Sequence, residues 1–225
     1  MDYRRLVPNS ISATSLIFGV LSIFKSIEGD WFWAPVFIIF AVIADSMDGR
    51  AARMLGVSGD FGKELDSLCD LGSFGVAPAI MIYLYGMTEL GLIGQIMAAF
   101  FTIGGAMRLA RFNVNSGVVH GYFQGMPIPA GACFLATYVL SGFTFSAWLV
   151  ALMTVTVAGI LYSNVKFPDF KGKDNPLHKI PVLAALALGA VLLWQRPSAW
   201  LFVGMFVYTA AGMINYVYTL LLRKN

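Results

Sequence analysis

The sequence predicts an all-α integral membrane protein, a polytopic bundle of about eight transmembrane helices with both termini cytoplasmic. Three observations predict it. Of 225 residues, 58% are apolar and 12% charged, against roughly 25% charged in soluble domains, and the mean hydropathy is +0.75. Apolar runs recur along the whole length, each near the ~20 residues a helix needs to cross a hydrocarbon core. Threaded alternately through a bilayer, those runs leave thirteen of the fifteen Lys and Arg residues on one side, the asymmetry that marks cytoplasmic connections. No soluble domain is left over, so residues 1–225 read as a single membrane-embedded domain.

Gly, Pro and charge clusters set the span boundaries. The first span, 10–27, follows a basic patch, but no small-residue cleavage site precedes Lys25; it reads as a retained helix, not a signal peptide. The second and third, 31–53 and 61–86, flank a short glycine-containing connection. The fourth, 90–112, ends at Arg108 and Arg111. The fifth, 128–141, is short for a crossing, so it is tilted, extended back through Pro127, or fused with the sixth, 144–164. A polar loop from Ser163 to Lys179 leads to the seventh and eighth, 178–194 and 198–222.

Charge decides for the fifth span. With it, Arg4, Arg5, Arg50, Arg53, Lys63, Arg108, Arg111, Lys166, Lys171, Lys173, Lys179, Arg223 and Lys224 share the cytoplasmic side, and Lys25 and Arg196 lie opposite. Without it, Lys166 to Lys179 move outside and the asymmetry is lost. Cys69 and Cys133 sit in apolar context and read as small core residues, not a disulfide. His120 and His178 read as polar loop residues.

Against this background four carboxylates stand out. Asp45 and Asp48 are three apart at the cytoplasmic end of the second span, and Asp66 and Asp70 are four apart at the start of the third. Each spacing puts its pair on one helical face. At 1.5 Å per residue, Asp45 and Asp70 lie roughly 12–14 Å inside the membrane edge and Asp48 and Asp66 about 7.5 Å. Antiparallel neighbours would bring the four together.

An acidic group at the centre of a spanning helix costs about 2.5–3.5 kcal/mol, so four approach roughly 10 kcal/mol before mutual repulsion. Polyvalent cations in a watery cavity offset that. Oxygen-only ligands favour hard ions, Mg²⁺, Mn²⁺ or Ca²⁺, over Zn²⁺, and four carboxylates suffice to bridge two ions in phosphoryl transfer. Gly49 leaves room for a flat base or sugar against the backbone. Ala52 keeps the next turn open, and Arg53 offers a fork of donors to phosphate.

The residues fit a pattern: D-x2-D-G-x2-A-R, eight residues, then G-x3-D-x3-D, met by Asp45, Asp48, Gly49, Ala52, Arg53, Gly62, Asp66 and Asp70. In this the chain resembles the CDP-alcohol phosphotransferase family. The resemblance implies transfer of a phosphoalcohol group from a CDP-linked donor to a hydroxyl, releasing CMP. It implies that Asp45, Asp48 and Asp66 hold two divalent cations, that Asp70 lends a ligand and serves as catalytic base, and that Gly49, Ala52 and Arg53 face the CDP. It also implies a homodimer.

A second resemblance concerns the acceptor. PNSISAT near the start, RLARFN at Arg108 to Asn113 and FQGMPIPAGA at Phe123 to Ala132 look like the phosphatidylserine synthase branch, which joins CDP-diacylglycerol to L-serine. Asn9 and Ser12 then join the nucleotide contacts, although the family usually has Thr where Ser12 stands. Arg108, Arg111, Asn113 and Lys63 are expected at the acceptor carboxylate or lipid phosphate, with Lys166 and Lys171 as further phosphate partners. The expected setting is the cell membrane, with the active site facing the cytoplasm, the substrates in or at lipid, and no nucleic-acid partner. Three alternatives stay open: glycerol 3-phosphate or inositol phosphate as acceptor, an archaeal ether-lipid donor, and, in a different class, a cation transporter.

Overall fold

The computed structural model describes residues 6–57, 59–115, 122–168 and 178–222. Each expected span carries a helix. These are α1 (Leu6–Ile27), α2 (Trp33–Leu55), α3 (Asp60–Asp70) continuing through a π-helical segment (Leu71–Val76) into α4 (Ala77–Gly86), α5 (Gly91–Asn115), α6 (Ile128–Ser141), α7 (Ala147–Tyr162), α8 (Lys179–Gln195) and α9 (Trp200–Leu222). Arg4, Arg5, His120, Lys171, Lys173, Arg223 and Lys224 lie outside the described residues.

Among the described residues, four helical stretches, Leu6–Ile27, Asp60–Gly86, Thr88–Val114 and Pro197–Leu222, are long and apolar enough to cross a membrane. The chain is an all-α integral membrane protein. α2 has comparable length, 23 residues, but Asp45, Asp48, Arg50 and Arg53 interrupt its apolar character. α6, α7 and α8 are shorter apolar helices.

α1 runs along α2, α5 along α7, and α8 along α9. Their outward faces are apolar: Ile17, Val20 and Phe24 on α1, and Leu92, Ile96 and Phe100 on α5, are exposed, as suits a surface whose solvent is lipid. Phe74, Met81, Phe101, Leu135 and Tyr138 are fully buried at the centre.

The short fifth span turns out to be an interior helix. α6 packs against α2, α4 and α9, ten of its 14 residues are buried, and it ends at Gly142 with φ of 64°, so it is not fused with α7. Its apolar composition goes with that burial. A second difference is a small antiparallel sheet, β1 (Tyr122–Gln124) with β2 (Lys166–Pro168), in register at Phe123 and Phe167. Prolines and glycines keep both segments out of helices, and pairing satisfies backbone groups that would otherwise compete for water.

At the end remote from the aspartates, Trp31, Tyr85, Tyr138, Phe143, Phe145 and Phe202 form a chain of ring contacts 5.2 to 6.0 Å apart. Tyr85 donates to the Phe143 carbonyl at 3.1 Å, and Arg196 donates to that of Gly142.

Candidate active site

α2 ends where Gly56, at φ of 63°, takes the left-handed conformation that glycine adopts without penalty. Its N–H and that of Val57 donate to the carbonyls of Arg53 and Ala52. The chain then reverses and α3 starts at Asp60, so the last turns of α2 and the first turns of α3 face each other. Asp45, Asp48 and Asp66 each present a carboxylate oxygen within 4.8 Å of the others. Asp70 lies within hydrogen-bonding reach of Asp45. The four acids expected to converge are together.

The donor set fits a hard cation. Asp66 Oδ1 and Asp70 Oδ1 are buried and make no hydrogen bond, and a buried carboxylate oxygen without a partner is costly. Oxygen ligands at this spacing have the chemistry of a Mg²⁺, Mn²⁺ or Ca²⁺ site. Asp48 is tied by a hydroxyl: Ser12 Oγ on α1 donates to Asp48 Oδ2 at 2.6 Å. Both residues are buried.

α1 reaches the site a second time near its start. A Cβ on Gly62 would stand 3.3 Å from Asn9 Oδ1, so the absent side chain is what admits Asn9 beside α3. A Cβ on Gly49 would meet only Arg53 Nη1, at 3.5 Å. Arg53 is exposed and Ala52 half-buried, which leaves the surface from Gly49 to Arg53 open to a ligand.

The cationic residues divide sharply. Arg108 on α5 is nine-tenths buried, its Nε lacks a partner, and the charges of Asp70 and Asp45 act on it. Arg111, one turn on, points its guanidinium at protein: Nη1 donates to the Tyr162 carbonyl at 2.9 Å, and Nη2 to those of Ser163 and Gln124 at 3.0 and 3.1 Å. It also lies over the Tyr162 ring, 4.6 Å from its centre. Lys63 Nζ donates to the Asn113 carbonyl at 3.0 Å, and Asn113 Nδ2 to Ser67 Oγ at 2.9 Å. Arg111, Asn113 and Lys63, expected at the acceptor, are therefore engaged in holding α5 to α7, β1 and α3. Lys166 lies in β2.

His178 packs against Tyr218, and its N–H donates to Asn215 Oδ1, as a loop residue would. Cys69 and Cys133 are free. Tyr208 on α9 packs at a tilt against Phe167, ring centres 5.2 Å apart. Nothing in the sequence singled it out, since α9 reads as an unbroken apolar helix.

The sequence model described as CDP-alcohol phosphatidyltransferase matches residues 5–159. The CDP-diacylglycerol--serine O-phosphatidyltransferase of Helicobacter pylori (strain J99 / ATCC 700824) is 35% identical over 222 residues, covering 95% of this chain and 92% of that protein. The protein of the same name from Bacillus subtilis (strain 168) is 37% identical over 166 residues, 73% of this chain and 91% of its own. Archaetidylserine synthase of Methanothermobacter thermautotrophicus is 36% identical over 169 residues, 74% of this chain and 71% of its own.

Proposed function

The chain belongs to the CDP-alcohol phosphatidyltransferase family, and from that premise we propose how its acidic centre works. The enzyme transfers the phosphatidyl group of CDP-diacylglycerol to L-serine, forming phosphatidylserine and CMP. The observation that carries the site assignment is the meeting of Asp45, Asp48 and Asp66 within 4.8 Å, with unpartnered oxygens on Asp66 and Asp70.

Asp45, Asp48 and Asp66 would hold two divalent cations, Mg²⁺ or Mn²⁺, with Asp70 as a further ligand. Bound there, the cations supply positive charge to the phosphoryl oxygens and to the departing CMP. Ser12 orients Asp48 through its 2.6 Å hydrogen bond. Gly49, Ala52 and Arg53 receive the cytidine and its phosphates on their open surface, with Asn9 beside them.

Arg108 takes the serine carboxylate, since its buried guanidinium keeps a free donor and the charge of Asp70 reaches it. Arg111, Asn113 and Lys63 frame that acceptor pocket. Asp70 removes the serine hydroxyl proton as that oxygen bonds to the lipid-bearing phosphorus. The bond from this phosphorus to the bridging oxygen breaks, and CMP leaves with its electron pair. The acyl chains stay in lipid between the helices.

The charge asymmetry of the sequence supports a cytoplasmic site, cytoplasmic termini and eight crossings in the cell membrane. The family resemblance carries with it a homodimer and one catalytic domain over the whole chain. The similarity to archaetidylserine synthase keeps an ether-lipid donor as a second reading. Purified protein given Mn²⁺, diacyl or ether CDP-lipid, and serine, glycerol 3-phosphate or inositol phosphate tests these together. CMP release is expected with diacyl donor and serine, and almost none from Asp70→Asn; preference for a phosphorylated acceptor sinks the assignment of Arg108.

A further inference from the structure

The rod that carries Asp66 and Asp70 changes its winding directly after Asp70. From Leu71 to Val76 it is π-helical, and the Ala77 N–H donates to the Gly72 carbonyl five residues back. Such an insertion adds one residue to the turn and rotates everything beyond it by roughly 100° relative to an unbroken α-helix. The two halves can then face different surroundings. Upstream, α3 buries only Cys69 and turns its acids to α2; downstream, α4 buries Ala77, Pro78, Ala79, Met81 and Ile82.

Neighbouring helices close on the segment where side chains are small. A Cβ on Gly19 would stand 2.7 Å from Ser73 Cα, and one on Gly105 would stand 3.9 Å from Gly75 Cα. The segment is thus held between α1, which brings Asn9 and Ser12, and α5, which brings Arg108. One carbonyl of the π segment is also met from outside: Thr102 Oγ1 on α5 donates to the Gly75 carbonyl at 3.1 Å.

We propose that Thr102 is a positioning residue for the acidic centre, its hydroxyl pinning the π segment so that Asp66 and Asp70 meet Asp45 and Asp48 at the right rotation and depth. This rests on the reading of the aspartates as cation ligands. Thr102 itself touches none of them; it acts through the Gly75 carbonyl and the winding of the rod.

Thr102→Val keeps the shape and removes the donor, and Thr102→Ser restores it. Mn²⁺ binding to each purified protein, without substrate, is read from the electron paramagnetic resonance of free Mn²⁺, beside the serine KM and the melting temperature in EDTA. The loss of one hydrogen bond predicts Mn²⁺ affinity lowered roughly three- to tenfold in Thr102→Val, recovery in Thr102→Ser, and an unchanged serine KM. Wild-type affinity in Thr102→Val, with or without a lowered melting temperature, overturns the proposal and leaves the metal site standing. So does failure of Thr102→Ser to recover. A wild-type protein that binds Mn²⁺ no better than Asp66→Asn overturns the metal reading itself, and the proposal with it.

Discussion

Arg108 and Arg111 stand one turn apart on α5, yet Arg111 gives its guanidinium to three backbone carbonyls while Arg108 keeps a buried Nε without a partner. Both read alike in the sequence, as cations ending a span. The difference is set by neighbours: Arg111 meets the end of α7, where the last carbonyls of a helix have no intrahelical donors, and Arg108 lies over the Phe112 ring within the field of Asp70. One arginine thereby ties α5 to α7 and β1, and the other keeps an unpartnered donor.

Substitution separates the two roles. Arg108→Gln removes the charge that would face a carboxylate, a contact of about 1.5–3 kcal/mol, so the serine KM is expected to rise at least about tenfold. Arg111→Gln instead removes three partly exposed hydrogen bonds to carbonyls, at about 0.5–1.5 kcal/mol each, so the melting temperature in detergent falls with little change in serine KM. A large KM effect at Arg111 with intact stability would return it to the acceptor.

Ser12 offers a second test. Its hydroxyl donates to Asp48 at 2.6 Å, a short charge-assisted bond of the stronger kind. Ser12→Ala is expected to lower kcat/KM for CDP-diacylglycerol about tenfold, and Ser12→Thr, which keeps the hydroxyl, to restore most of it. Steady-state CMP release in mixed micelles measures both; equal rates for Ala and Thr would detach Ser12 from the site.

The acidic centre was legible because its signal is local. Spacings of three and four put paired carboxylates on helical faces, and Gly56 marks a reversal that sets those faces opposite each other. Helix positions were legible for the same reason. What the sequence concealed is tertiary: the burial of α6 depends on α2, α4 and α9, the β1 and β2 pairing joins residues more than forty apart, and the π turn has no local pattern of its own. The carbonyl contacts of Arg111 were hidden because a cation at a span end carries the same sequence signal whether it meets solvent, ligand or carbonyls.

Metal removal should act on stability with a definite sign. Without cations the clustered carboxylates repel one another, and each unpartnered oxygen adds a desolvation cost. In EDTA, Asp66→Asn is therefore expected to melt above the wild type, while Mn²⁺ raises the wild-type melting temperature through binding to the folded state and raises the variant's much less. Activity goes the other way, falling by about a thousandfold or more in Asp66→Asn, the order of loss when a main electrostatic contribution is removed. Thermal melts with and without Mn²⁺ decide it: a variant less stable than wild type in EDTA would mean that Asp66 serves the fold instead.

Close packing of α1 on the π segment gives the last prediction. A Cβ on Gly19 would lie 2.7 Å from Ser73 Cα, a backbone atom with no rotamer to yield, whereas one on Gly159 in α7 meets nothing within 4 Å. Gly19→Ala is expected to destabilise by about 1–3 kcal/mol through overpacking and to reduce activity by moving Ser12 away from Asp48. Gly159→Ala should stabilise by about 0.5–1 kcal/mol, the ordinary gain from replacing glycine inside a helix, and leave turnover unchanged. Equilibrium unfolding in detergent with parallel CMP-release assays compares the pair. If both substitutions behave alike, the contact between α1 and the π segment does not hold the site together.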